Sequence, residues 1–187
     1  MLEYSDLSID DLENMRNLYE TFLNSGSGIE EWLREGLANP RYAGIKCMDG
    51  DKMVGVFSGR PGIEFTYGHE DLTELIREKW KGYEIFTGDM LVVLPEYRGH
   101  GIARRLTTGM KKSLREKGCQ RMVAEAWYKP VANDIPASNV MKYLGPHEVV
   151  GEYMDFYRDI DKLGMTCPEC GPGSCRCGAV VCVIEIM

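Results

Sequence analysis

Val92-Val93-Leu94-Pro95-Glu96-Tyr97-Arg98-Gly99-His100-Gly101-Ile102-Ala103 is the stretch on which the fold turns. An apolar run, Tyr83–Leu94, reads as a long buried strand and stops at Pro95. Beyond the loop, Ile102, Leu106, Met110 and Leu114 recur every four residues and mark a helix that ends at Gly118. Small residues at 99, 101 and 103 let the backbone approach a ligand closely. The first N–H groups of a helix are unpaired, and its dipole adds positive potential there, so the junction suits phosphate oxygens. Arg98, Arg104, Arg105, Lys111 and Lys112 add positive charge nearby, although those on the helix also read as a solvated face.

Three phosphate-binding loops compete for this pattern. A P-loop requires G-x-x-x-x-G-K-[ST], which is absent. A dinucleotide fingerprint fits Gly99 and Gly101 but puts Arg104 where helix–strand packing demands a small residue. Glu125 ends the next strand, as that fingerprint would require, yet the loop sits in mid-chain rather than after a first strand.

Working outward, Leu2–Ser5 reads as a short strand and residues 9–24 as a helix with Leu12, Met15, Leu18, Tyr19 and Phe22 on one face. Ser27 and Glu30 have the spacing of a capping box for a second helix, which Asn39-Pro40 ends. Strands at Tyr42–Met48 and Lys52–Arg60 flank an Asp49-Gly50 hairpin turn. A helix over 69–80 precedes the buried strand. After the loop helix come a strand at Arg121–Trp127, a helix at Ala137–Leu144 and strands near Glu148–Arg158. The pattern predicts an α/β fold with one mixed sheet flanked by helices.

Arg98-x-x-Gly101-x-Ala103 resembles the [QR]-x-x-G-x-[GA] loop of the GNAT acetyltransferase superfamily, and Val93-x-Pro95-x-x-Arg98-Gly99 resembles the end of that family's central strand. The likeness extends over roughly residues 1–158, apart from the additional helix near 69–80. It implies a central twisted mixed sheet flanked by helices and an N-acetyltransferase that moves an acetyl group from acetyl-CoA directly to a primary amine. Arg98, Gly99, His100, Gly101, Ile102 and Ala103, with Arg104 beside them, would hold the pyrophosphate. The backbone of Leu91, Val92 and Val93 would pair with the pantetheine arm.

An amine acceptor is mostly protonated near neutrality, with a lysine reference of about 10.4, so a base must take a proton before attack. The resemblance places that base on the central strand, where Glu84 and Asp89 are the candidates; a satisfied turn residue after Gly88 is the plain alternative for Asp89. Glu125 and the Trp127-Tyr128 pair would line the acceptor site or cap the core. The resemblance also nominates Tyr143 as the acid for the departing thiolate and Asn139 as a second CoA contact, although Gly145-Pro146 departs from the usual Gly-Phe. A non-catalytic acyl-CoA-binding or partner-docking protein is the competing reading.

Five of the seven cysteines lie between Cys167 and Cys182, a compositional boundary that divides the chain into residues 1–160 and a Cys-rich tail over 161–187. Cys167, Cys170, Cys175 and Cys177 form C-x2-C-x4-C-x-C, which can surround one tetrahedral Zn²⁺ at about 2.3 Å. An iron–sulfur cluster and a reduced or oxidised tail are the alternatives. Cys182 lies in the apolar run Ala179–Ile186, read as an added edge strand.

Composition narrows the partners. The chain has 187 residues, 44% hydrophobic, with 22 basic against 29 acidic side chains and a formal charge of −7. That sign argues against a binder dominated by nucleic-acid phosphates. The first residues are acidic and lack an apolar core, and no apolar stretch is long enough to span a bilayer, so a cytoplasmic protein is expected. The expected partners are acetyl-CoA and an amine acceptor, with a second copy of the chain as a further candidate and neither nucleic acid nor membrane.

Overall fold

The computed structural model describes residues 1–65, 68–129 and 143–186. Its elements are β1 (Leu2–Asp6), α1 (Leu12–Phe22), β2 (Ser25–Gly26), α2 (Ile29–Ala38), β3 (Ala43–Asp49), β4 (Lys52–Pro61), α3 (Glu70–Lys79), β5 (Ile85–Val93), α4 (Ile102–Glu116), β6 (Arg121–Tyr128), β7 (His147–Tyr153), β8 (Met165–Thr166) and β9 (Gly178–Glu185). Seven strands form one mixed sheet in the order β1-β3-β4-β5-β6-β9-β7, and β2 pairs with β8 in a separate two-stranded ribbon. Most neighbours in the sheet are antiparallel; β5 and β6 are parallel, as the intervening α4 crossover requires. The fold is the flanked mixed sheet that the sequence implied.

The helices form where apolar spacing lets them bury one face. All four residues of the α4 stripe, Ile102, Leu106, Met110 and Leu114, are buried, while Arg104, Arg105 and Lys112 face solvent. They share the main core with Met15 and Leu18 of α1, Leu33 of α2 and Phe86 of β5. A second core gathers Leu72 and Ile76 of α3, Phe156, Tyr157 and Ile160, the β9 residues Val181 and Val183, and three of the tail cysteines, Cys167, Cys175 and Cys177. The additional helix and the C-terminal segment thus solve the same problem: each covers apolar surface that the other exposes.

Three local expectations are corrected. The Ser27–Glu30 capping box does not form: Gly28, at φ +87°, is the N-cap of α2, and the Glu30 carboxylate is taken by Arg16 and Arg34, both at 2.7 Å. A capping box does form at Ser8 and Asp11, ahead of α1. The Cys182 strand, β9, is no edge: it lies between β6 and β7, and antiparallel pairing on both sides buries Val181, Cys182 and Ile184. Of the strands expected over 148–158, the segment after Tyr153 turns instead, with Asp155 at φ +54°. Most of the expected helix at Ala137–Leu144 lies outside the described residues. Among the described residues no helix is long and apolar enough to cross a membrane.

Candidate active site

The centre of the sheet is parted. β5 and β6 pair only over Ile85–Thr87 and Arg121–Val123. Beyond Thr87 the two strands diverge, and the main-chain groups of β5 that face β6 have no strand to pair with among the described residues. The cause lies on the other side of β5. Gly59 pairs with Gly88 but Ser58 pairs with Met90, so Asp89 is the extra residue of a β-bulge. A bulge bends its strand and re-aims the side chain it carries. The tight β4–β5 approach at this point needs glycine: a Cβ on Gly59 would stand 2.7 Å from the Thr87 carbonyl oxygen.

A cavity of about 490 Å³ fills the opening. Leu91, Val92 and Val93 line it, as do Arg98 and Ala103 at the loop end. Asp89, Glu125, Trp127, Tyr19 and Asn24 line it further along, and Tyr157, Lys129 and Cys167 complete that wall.

At the loop end, Gly99 and Gly101 sit at φ +80° and +76°, a region other residues enter only with strain, and a Cβ on either would meet no protein atom within 4 Å. Gly101 is the N-cap of α4; it has no side chain to cap the helix, and the first turn holds no acidic residue. The leading N–H groups of α4 are therefore available to an anion. Arg98 donates from Nε to the Val93 carbonyl at 3.1 Å, and His100 donates from Nδ1 to the Arg98 carbonyl at 2.9 Å, so these side chains brace the loop. Ile102 is buried under it. Arg104 is exposed, and its guanidinium lies 5.7 Å from the ring centre of Tyr143.

Two carboxylates mark the other end. Asp89 is buried, with both oxygens 3.0 Å from Nε of Arg60. Arg60 in turn stacks on Trp32 of α2, 3.9 Å from the ring centre, and donates to the Trp32 carbonyl at 3.3 Å. Burial outweighs this ion pair and pushes the Asp89 carboxyl up to about 6. Among the described residues Glu125 has no such partner. Its Oε2 is closed off from solvent and accepts no hydrogen bond within the described structure. Burial, with the Asp89 charge adding to it, pushes Glu125 up to about 8. A second, water-sized cavity of about 10 Å³ touches both carboxylates.

The structure thus brings Asp89 together with Leu91, Val92, Val93, Arg98 and Ala103 around one cavity. It separates Glu84 from them. Glu84 precedes β5 at the closed end of the β5–β6 pair, is 45% exposed and pairs with Arg41 at 2.6 Å. Tyr143 is exposed beside Arg104 and does not line the cavity, although its neighbour Leu144 does. Asn139 lies outside the described residues. Arg60 escaped the sequence reading; its only signal was a charge closing an otherwise apolar strand.

The four cysteines of the tail also converge. The Sγ atoms of Cys167, Cys170, Cys175 and Cys177 all lie within 4.8 Å of one another. The Cys167–Cys177, Cys170–Cys177 and Cys170–Cys175 separations are 3.8, 3.7 and 3.8 Å. A zinc ion bound tetrahedrally by sulfur at about 2.3 Å spaces its ligands about 3.8 Å apart. Two main-chain N–H groups already donate to these sulfurs, Arg176 to Cys170 at 3.5 Å and Cys177 to Cys175 at 3.4 Å. The set is chemically fit to hold a thiophilic cation.

Comparison with known proteins agrees with this geometry. A family model described as the acetyltransferase (GNAT) family matches residues 9–142, and the chain belongs to that family. No curated protein matches it significantly in sequence. Solved structures share its fold at low identity. The ribosomal-protein-S18-alanine N-acetyltransferase of Escherichia coli superposes with a TM-score of 0.61 at 16% identity, covering 100% of this chain and 94% of that one. Arabidopsis thaliana NAA60, solved with acetyl-CoA, gives 0.68 at 14% identity, covering 100% and 99%. The putative acetyltransferase yncA of Salmonella typhimurium, solved with acetyl-CoA, gives 0.64 at 13%, covering 100% and 94%.

Proposed function

We propose that the protein transfers an acetyl group from acetyl-CoA to a primary amine, without a covalent enzyme intermediate. The observation that carries this reading is the parted sheet. An uncapped glycine loop lies at one end of its cavity, and a buried carboxylate oxygen without a donor lies at the other. The main-chain N–H groups from Gly99 to Arg104 would hold the CoA diphosphate, and the free edge of β5 from Leu91 to Val93 would pair with the pantetheine arm.

Glu125 is the base in this reading. An incoming ammonium supplies the hydrogen-bond donor that Oε2 lacks, and Glu125 then takes its proton directly or through a bridging water. The amine nitrogen attacks the thioester carbonyl carbon, the C–S bond breaks, the CoA thiolate leaves with the bond's electron pair, and the proton that the new amide nitrogen sheds neutralises that thiolate. Asp89, held as an anion by Arg60 above a pH of about 6, keeps Glu125 basic enough for the task. Glu84 has no part, since Arg41 occupies it outside the cavity. Tyr143, beside the loop, contributes to the CoA site through Arg104.

The four tail thiolates hold Zn²⁺ as a closed structural site, with no position left for catalysis. The acceptor is a small amine or the amino end of a peptide; one structural neighbour is named as a ribosomal-protein-S18-alanine N-acetyltransferase, and another was solved bound to a peptide and CoA.

The test is thiol release from acetyl-CoA across a panel of polyamines, aminoglycosides and short peptides, together with calorimetry of acetyl-CoA binding. Turnover with at least one amine supports the assignment. Binding without turnover across the panel would leave only an acyl-CoA-binding role, and absence of binding would overturn the whole reading.

A further inference from the structure

The four-thiolate cluster and the acceptor half of the cavity are mechanically one unit. Beyond Val123, β6 has lost β5 as a neighbour, and its remaining strand partner is β9. Glu125 pairs with Val181 and Trp127 with Ala179, two residues after Cys177. The placement of the base and the aromatic wall therefore depends on where β9 begins, and Cys177 fixes that point. A second tie runs from Lys129, just past β6, to Glu169, between the first two cysteines. A third runs to the opposite wall. Thr166, adjacent to Cys167, pairs with Ser25, and the neighbouring Leu23 and Asn24 line the cavity. Cys167 itself lines the cavity as well. Among the described residues the glycine loop and the α4 N-terminus have no such tie: they hang on β5 and pack through Ile102 into the main core, whereas three of the four cysteines belong to the second core.

We infer that Zn²⁺ in the four-thiolate centre clamps the acceptor half of the cleft, so that metal occupancy controls acceptor recognition and leaves acetyl-CoA binding nearly untouched. The inference rests on the zinc and acetyl-transfer readings above, and its test separates the three.

The full chain is purified under reducing conditions and its zinc measured by elemental analysis. Replacement by Co²⁺ reports four-sulfur ligation through a thiolate-to-metal absorption band. Hydrogen exchange is then compared between metal-loaded protein, protein stripped with a chelator, and stripped protein given Zn²⁺ or Mg²⁺. Stripping is expected to speed exchange about tenfold or more in residues 121–129 and 23–26. Residues 95–106 should be unchanged, acetyl-CoA affinity should stay within about threefold, and Zn²⁺ but not Mg²⁺ should restore protection. Glu169→Gln should keep the metal and loosen residues 127–129 alone. Unchanged exchange at 121–129 in stripped protein overturns the clamp and leaves the zinc reading standing. Parallel loss of protection at 95–106 and of acetyl-CoA binding also overturns it, because the metal would then hold the entire fold. No zinc and no cobalt–thiolate band would overturn the metal site itself, whatever the outcome for acetyl-CoA.

Discussion

The Nε of Arg60 lies 3.0 Å from each carboxylate oxygen of Asp89, at the one residue that the β4–β5 register leaves unpaired. This pairing gives the two acids of the cleft different work. Asp89 is charge-compensated and fixed; Glu125, across the opening, has no ion-pair partner among the described residues and is raised to about 8. The kinetics should show the difference. kcat/KM should rise with pH through an apparent pKa near 8 as Glu125 loses its proton, a value that belongs to the coupled pair. Glu125→Gln should cost about 10²–10⁴-fold in kcat/KM and abolish that limb while sparing acetyl-CoA affinity. Retention of the limb in the variant would assign it to the amine substrate.

Asp89→Asn should move the same limb toward lower pH. The substitution removes an anion that raises Glu125 and leaves the Arg60 cation only the looser, exposed Glu64 at 3.8 Å, and both changes favour the Glu125 carboxylate. The pH–rate profile of Asp89→Asn checks the direction. Arg60→Ala should instead destabilise the fold by about 3–5 kcal/mol, since it leaves a buried carboxylate unpaired; denaturant unfolding at pH 8 would measure it.

Stability should fall as pH rises from about 5 to 9. Asp89 and Glu125 are both raised in the folded chain, so the native state holds more protons than the unfolded one across that window. Their stabilisation is complete below the unfolded carboxyl range and is lost through about 6 and about 8 in turn. The melting temperature should drop by roughly 5 °C or more over the window, and Glu125→Gln should remove the upper part of the slope. A melting temperature that climbs from pH 6 to 9 would contradict the assignment.

Gly101→Ala tests the loop. The new Cβ meets no protein atom within 4 Å, so the substitution adds only the strain of a left-handed backbone, about 1–2 kcal/mol, read as a lower melting temperature. Acetyl-CoA affinity should fall about tenfold, and Gly101→Glu should lower it by about a hundredfold by setting a carboxylate against the diphosphate. Calorimetry on both variants gives the ordering.

What could be read from the chain, and what could not, divides by range. The α4 stripe from Ile102 to Leu114 and the hairpin at Asp49–Lys52 are local patterns, and the structure holds them where their spacing put them. The glycine loop was legible because it is contiguous. The opening of the sheet was not: the bulge at Asp89 exists only in its register with Ser58 and Gly59, some thirty residues upstream. For the same reason Arg60 carries no signal along the chain, and Glu84 stands beside Asp89 as a candidate, though one lies at the closed end of β5 and the other, nearer the expected thioester, at its bend. Ser27 and Glu30 had the right spacing for a cap, but Arg16, a helix away, competes for the carboxylate. Strand order is likewise invisible along the chain, so β9 looked like an edge.

The position of β9 has a consequence for biosynthesis. β6 and β7 both emerge from the ribosome before the strand that will join them, and neither touches the other in the finished sheet. Until β9 threads between them, the nascent chain carries two open hydrogen-bonding edges, one of them rich in apolar side chains, and such edges invite aggregation. Closure of the gap is a non-local, late event, so refolding should be slow and chaperone-sensitive for a protein of this size.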